Sequence, residues 1–173
     1  TATSGRTASG ASGAAKIRSD VLAAGFQESA LGDVLEPWTL FLAERAMAAP
    51  PGTIDRVREH FLHVQALVSQ FMTGFDVWLT PVLSAPAPRL GEQGPLIAPR
   101  ELQRRVFDWV AYTPLANAIG TPAISLPLGF SRDGLPIGSM FMAKIGDEQT
   151  LLELAYQLET AQPWFDKRPE DFA

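Results

Sequence analysis

The chain has 173 residues, 46% of them hydrophobic and 19% charged, with a formal net charge of −5; it can bury a core, but it has no Lys/Arg run that would favour nucleic acid or an anionic membrane. It contains no cysteine, which excludes disulfides, thiolate zinc sites and a cysteine nucleophile and fits a cytoplasmic protein. The most apolar stretch, 119–130, is too short to span a bilayer and is broken by Pro122 and Pro127, and the residues from Thr1 onward lack the basic and apolar regions of a secretory signal.

In chain order, residues 1–15 are small and polar without a hydrophobic period and read as a flexible leader. A single domain is expected over 16–173, beginning with a short helix around "AKIRSDVLAAGF". "EPWTLFLAERAMA" places Pro37 at a helix start and predicts a short, largely buried helix, ended by Pro50 and Pro51. Thr53 reads as the N-cap of the next helix and Gly74 as its stop. Between them Ile54, Val57, Phe61, Val64, Val68 and Phe71 recur at three and four residues, which predicts one apolar face.

"FDVWLTP" is a short apolar run bounded by Gly74 and Pro81 and predicts a strand buried on both faces. Residues 84–99, rich in proline, predict a loop. "ELQRRVFDWVAYTPLANAIG" predicts a helix in two pieces, interrupted at Pro114. "TPAISLPLGF" and "LPIGSMFMAK" flank Asp133-Gly134, a hairpin turn signal. Asp147 is placed to cap a last helix whose apolar face comprises Leu151, Leu152, Leu154, Ala155 and Leu158. This order of helices and strands predicts an α/β fold with a sheet of few strands.

The segment 112–138 combines four prolines and four glycines with almost no charge, which suits neither a polar linker nor an ordinary core strand. Together with "EPWT", "FDVWLTPVLSAPAPRLGE" and "GDEQTLLELAYQLE", in this order and spacing, it resembles the C-terminal third of the amidase signature family over roughly residues 36–165. The resemblance implies part of a large α/β fold, with helices packed on a small mixed β-sheet that includes a C-terminal hairpin. It makes 112–138 an architectural corner. Gly120 and Pro122 would turn a helix into a strand, and Gly129, Gly134 and Gly138 would allow turns and close packing. Pro127 and Pro136 belong at a bulge, an edge or a strand start.

The family hydrolyses carboxamides with a serine nucleophile, a second bridging serine and a neutral lysine, while N–H groups of a Gly/Ser-rich loop stabilise the oxyanion. That loop lies upstream of the part resembled here, so the chain is expected to hold no catalytic residue of its own and to be inactive alone. "SGASGAAK", with Ser9, Ser12 and Lys16, departs from the family pattern because its lysine follows the serines within a few residues. An N-terminal Thr1 nucleophile would need to begin a buried strand, which "TATSGRT" does not resemble.

Other groups favour structural roles. His60 and His63 form H-x-x-H without a third ligand and read as surface residues. Ser125 and Ser139, in strands without a neighbouring base, read as core hydroxyls. By the resemblance, Thr113, Ala116 and Asn117 match positions lining part of the substrate pocket, although Thr113 also suits a helix cap and Asn117 a turn. Trp38 and Trp109 suit a pocket wall or the core.

No cofactor or metal is implied. The leading expectation is the C-terminal portion of an amidase acting on a small amide substrate; the alternative is an inactive amidase-derived module that binds a partner. Strands built for burial by absent neighbours predict a homo-oligomer, or association with the missing N-terminal part.

Overall fold

A computed structural model describes residues 2–167, with side chains from residue 12 on. The chain divides into two units, Thr1–His63 with Pro88–Trp109 and Val64–Ala87 with Val110–Ala173.

The first unit is helical. α1 spans Ala2–Ala23, where composition alone reads as a flexible leader up to residue 15. Its alanines favour helix, and α1 packs along α3 (Pro37–Met47), so tertiary contact supplies what its glycines and serines withhold. A 3₁₀ turn at Glu28–Ala30 and the single-turn α2 (Leu31–Val34) connect them.

Pro37 occupies the first turn of α3, where its missing N–H costs nothing. Only Ala43 on that helix is fully buried; Trp38, Leu40, Phe41 and Leu42 are half-covered, less than the sequence predicts. α5 (Pro99–Trp109) carries an ion ladder. Arg104 grips both carboxylate oxygens of Glu101 at 3.0 and 2.7 Å and reaches Asp108 at 3.0 Å. Arg105 adds a further bond to Glu101 at 2.7 Å. Hydrogen bonds from Arg104, then from Arg105, pull the Glu101 carboxyl from its ordinary 4.5 down to about 2.

α4 (Thr53–Phe71) begins in the first unit and ends in the second. Thr53 does not cap it as predicted. Its hydroxyl donates to the Pro50 carbonyl at 2.6 Å and accepts from Arg56 at 3.0 Å, satisfying the preceding turn instead. The apolar stripe is present, but none of its residues is fully buried.

In the second unit, β1 (Trp78–Pro81), β2 (Ala123–Phe130) and β3 (Pro136–Met142) form a sheet in the order β1-β3-β2. Both pairings are antiparallel, where the resemblance implied a mixed sheet. The α/β class with a C-terminal hairpin stands. The hairpin turns at Gly134, whose φ of +78° only glycine adopts without strain. Pro136 opens β3, and Pro127 lies in the register shift between Leu126 and Gly129, on an edge strand.

Strand alternation splits the sheet into two faces. On one, Phe141 and Leu126 join Ala143 and Leu151 of α7 (Glu148–Ala161) in the core, with Ile124, Val77, Leu154, Ala155 and Leu158 around them. On the other, Met140 and Met142 are buried, as are Met72 and Ile119 elsewhere in the unit. Predicted to be covered on both faces, β1 is instead an edge strand whose Leu79 is 58% exposed. Leu152 of α7 is likewise exposed. Asp147 precedes α7, yet its carboxylate makes no cap bond to the backbone and accepts from the Thr150 hydroxyl at 2.8 Å.

Candidate functional site

The helix-to-strand corner is the most firmly tied feature that carries predicted site residues. α6 (Thr113–Ile119) starts with Thr113 and Pro114, so Thr113 lies inside the first turn and Tyr112 takes the cap position. The helix stops at Gly120, in the left-handed conformation at φ +71°. The N–H groups of Gly120 and Thr121 both donate to the Ala116 carbonyl, at 2.9 and 3.2 Å. Three residues beyond Gly120, β2 begins. The predicted turn from helix directly into strand is therefore present.

Two side chains brace this corner. Gln65, on α4, donates from Nε2 to the Ile119 carbonyl at 2.6 Å, closing one of the acceptors that a helix end leaves open. The Thr121 hydroxyl reaches the Met142 sulfur at 2.9 Å, tying the corner to the central strand. Neither contact was anticipated from the sequence. A glutamine on a helix carries no local signal of a carbonyl 54 positions away.

The three predicted substrate-side residues fall at i, i+3 and i+4 of α6, a spacing that gathers them on one side of the helix. Ala116 is buried at 5% exposure, Thr113 is half-buried and Asn117 is exposed. Thr113 supplies a hydroxyl and Asn117 an amide, groups suited to binding and orientation rather than to bond cleavage.

The remaining candidates are not assembled into a site. Lys16 is 75% exposed and paired with Asp20 at 2.6 Å, the opposite of the desolvated setting that makes a lysine a base. Ser12 is exposed on the same helix, and the side chain of Ser9 and all of Thr1 lie outside the described residues. Ser125 is exposed and Ser139 half-buried, so Ser125 is no core hydroxyl; it stands on the free edge of β2. His60 and His63 are both exposed on α4. Trp38 and Trp109 are each half-buried.

Gly138 has a tighter role than a turn. A side chain there would meet Val82 Cγ2 at 2.6 Å and Ser125 Oγ at 2.7 Å. The strand after the hairpin is thus packed flush against its neighbours on both sides.

The family model for amidases, described simply as Amidase, matches residues 10–152. The chain belongs to the amidase family. The match starts upstream of residue 36, where the resemblance in sequence sets in, and so takes in most of α1; it ends within α7.

AmiC of Mycobacterium leprae is 43% identical to this amidase-family chain over 125 residues, covering 70% of this chain and 25% of AmiC. The 6-aminohexanoate-cyclic-dimer hydrolase of Paenarthrobacter ureafaciens is 38% identical over 104 residues, covering 56% of this chain and 21% of the hydrolase. The solved structure of a 6-aminohexanoate cyclic dimer hydrolase superimposes on 84% of this chain with a TM-score of 0.69 and 28% identity, using 31% of its own length. The chain thus spans a quarter or less of the curated relatives it matches. Among the described residues, no helix is long and apolar enough to cross a membrane.

Proposed function

We propose that this chain is the C-terminal portion of an amidase that hydrolyses the carbon–nitrogen bond of a small amide in the cytoplasm. The observation that carries the reading is the coverage: a family match over 10–152 by a chain that spans 25% of AmiC. In this reading the serine nucleophile, the bridging serine and the lysine reside on polypeptide outside these 173 residues. The chain contributes the corner at Gly120 and, on α6, one wall of the amide pocket. Thr113 and Asn117 orient the substrate by hydrogen bonds, and Ala116 keeps the wall close-packed and small.

The division of labour is physically reasonable. A helix held at its end by Gln65 and continued into a strand is a rigid support, and pocket groups need such supports to hold substrate in a reactive pose. The test is complementation. The chain is co-expressed with the part of M. leprae AmiC outside the aligned region, and ammonia release is measured from a panel of carboxamides. The expected result is hydrolysis by the pair and none by this chain alone. Thr113→Val and Asn117→Ala should each raise KM of the pair about tenfold, the loss of one buried or partly buried hydrogen bond. Hydrolysis by the isolated chain, or a pair indifferent to both substitutions, would overturn the assignment.

A further inference from the structure

We infer that Gln65 is a positioning residue for amide hydrolysis: its side-chain amide fixes the tilt of α6 and thereby the place where Thr113 and Asn117 hold the substrate. The inference rests on the reading of the chain as one portion of an amidase with α6 along its pocket, and it assigns a role in the reaction to a residue outside that wall.

Gln65 stands where the helix period calls for an apolar side chain. On the part of α4 that belongs to the second unit, Val64, Gln65 and Val68 are half-buried, and Met72 just past the helix end is fully buried. Ala66, Leu67, Ser69 and Gln70 are exposed. Gln65, Val68 and Met72 follow one another at three and four residues, so the glutamine belongs to the covered side of the helix. A polar side chain withdrawn from water is costly unless its groups are paired. Here Nε2 is paired, at 2.6 Å, with the carbonyl of Ile119, a residue only 2% exposed.

The helix it holds has few means of fixing itself. α6 has seven residues, about two turns, and no side chain caps its N-terminal end. Its fixed points collect at the other end: Gly120 in the left-handed conformation, the Thr121 hydroxyl on the Met142 sulfur, and Gln65 on the Ile119 carbonyl. Of these, Gln65 grips the last helical residue from a different element, whereas the other two lie past the helix.

The consequence is that of a lever. At a rise of about 1.5 Å per residue, Asn117 lies about 3 Å and Thr113 about 9 Å along the axis from Ile119. A tilt of about 6° at the Ile119 end therefore moves Thr113 by about 1 Å, and a misplacement of that size costs on the order of a hundredfold in rate. Substrate that follows Thr113 and Asn117 keeps its hydrogen bonds to them while it leaves its reactive pose. The loss accordingly falls on kcat and spares KM.

The experiment uses this chain complemented by the part of M. leprae AmiC outside the aligned region. It measures kcat and KM for a carboxamide that the wild-type pair hydrolyses, with circular dichroism to establish that each variant folds. Gln65→Leu suits the covered side but has no donor; it should lower kcat about tenfold or more and change KM by less than about threefold. Gln65→Glu, alike in shape but without an N–H to give, should match it. Gln65→Lys, which brings a donor back within reach, should recover kcat to within about threefold of wild type. Gln65→Leu is then repeated in a Thr113→Val, Asn117→Ala background, where α6 no longer holds the substrate and kcat should fall no further. Should Gln65→Leu fail to fold, the contrast between Gln65→Glu and Gln65→Lys decides the matter.

A wild-type pair that is active, with kcat unchanged in Gln65→Leu, would overturn the inference and leave the amidase reading standing. So would an equal loss of kcat in both backgrounds, which marks a residue that merely supports the fold. A wild-type pair that hydrolyses no amide removes the amidase reading and the positioning role with it.

Discussion

Replacing Gly120 or Gly138 by alanine adds the same methyl group and meets two different obstacles. At Gly120 nothing lies within 4 Å of the added carbon, so the cost is purely that of a left-handed backbone, about 1–2 kcal/mol. At Gly138 the backbone is permissive, but the methyl would strike Val82 and Ser125, and overpacking of this kind costs about 1–3 kcal/mol. Urea denaturation should separate them: Gly120→Asn should recover most of the loss of Gly120→Ala, whereas Gly138→Asn should be worse than Gly138→Ala. Both glycines stand out in the sequence as members of an uncharged Pro/Gly run, but only the fold distinguishes the one that turns from the one that yields space. Glu101 gives a second test at this scale. Its carboxyl is depressed to about 2 by Arg104 and Arg105, so the ladder contributes stability above the ordinary value of 4.5 and loses it as pH falls from 4.5 toward 2. The ladder is exposed, so the effect on unfolding should be slight and salt-sensitive. An NMR titration of the Glu101 carboxyl should find a low midpoint that moves back toward 4.5 in Arg104→Ala.

Among the elements, α6 is too short to hold itself and depends on what braces its end. Gln65→Ala removes the bond to the Ile119 carbonyl and should cost about 0.5–1.5 kcal/mol. Its local signature is faster hydrogen exchange at the Gly120 and Thr121 amides, both of which donate to Ala116. Equal protection in wild type and variant would mean that the glutamine is not the brace. The extent to which the sequence reveals each element follows from where its determinants lie. Asp133-Gly134 and the flanking strands carry their own turn chemistry, and Pro114 marks a helix boundary, though it opens α6 rather than ending α5 at Trp109; both are legible locally. α1 is not, because packing against α3 sustains a helix that composition disfavours. The coverage of β1 was overestimated for the complementary reason: an apolar strand announces that it is to be buried without saying which polypeptide buries it. In the candidate site, Thr113, Ala116 and Asn117 were placed on one helix by their spacing, while Gln65 and Met142 reach the corner through the fold and leave no trace in its sequence.

For the molecule as a whole, the exposed apolar residues govern behaviour in solution. With Leu67, Phe71, Phe75 and Leu79 uncovered, the isolated chain should associate weakly with itself as its concentration rises. Light scattering over a tenfold concentration range should register an increasing mean mass. A constant monomer mass would count against this expectation.

The contact between Val82 and the space at Gly138 also bears on descent. β1 could slide along β3 by two residues and keep each side chain on its own side of the sheet, but Val82 would then confront Met140 or Pro136 instead of a residue without a side chain. The alignment of the strands is thus recorded as a vacancy on one and a branch on the other. Positions 82 and 138 should be inherited as a single trait: a lineage that acquires a side chain at 138 should have lost bulk at 82, and a change at either one alone should be rare.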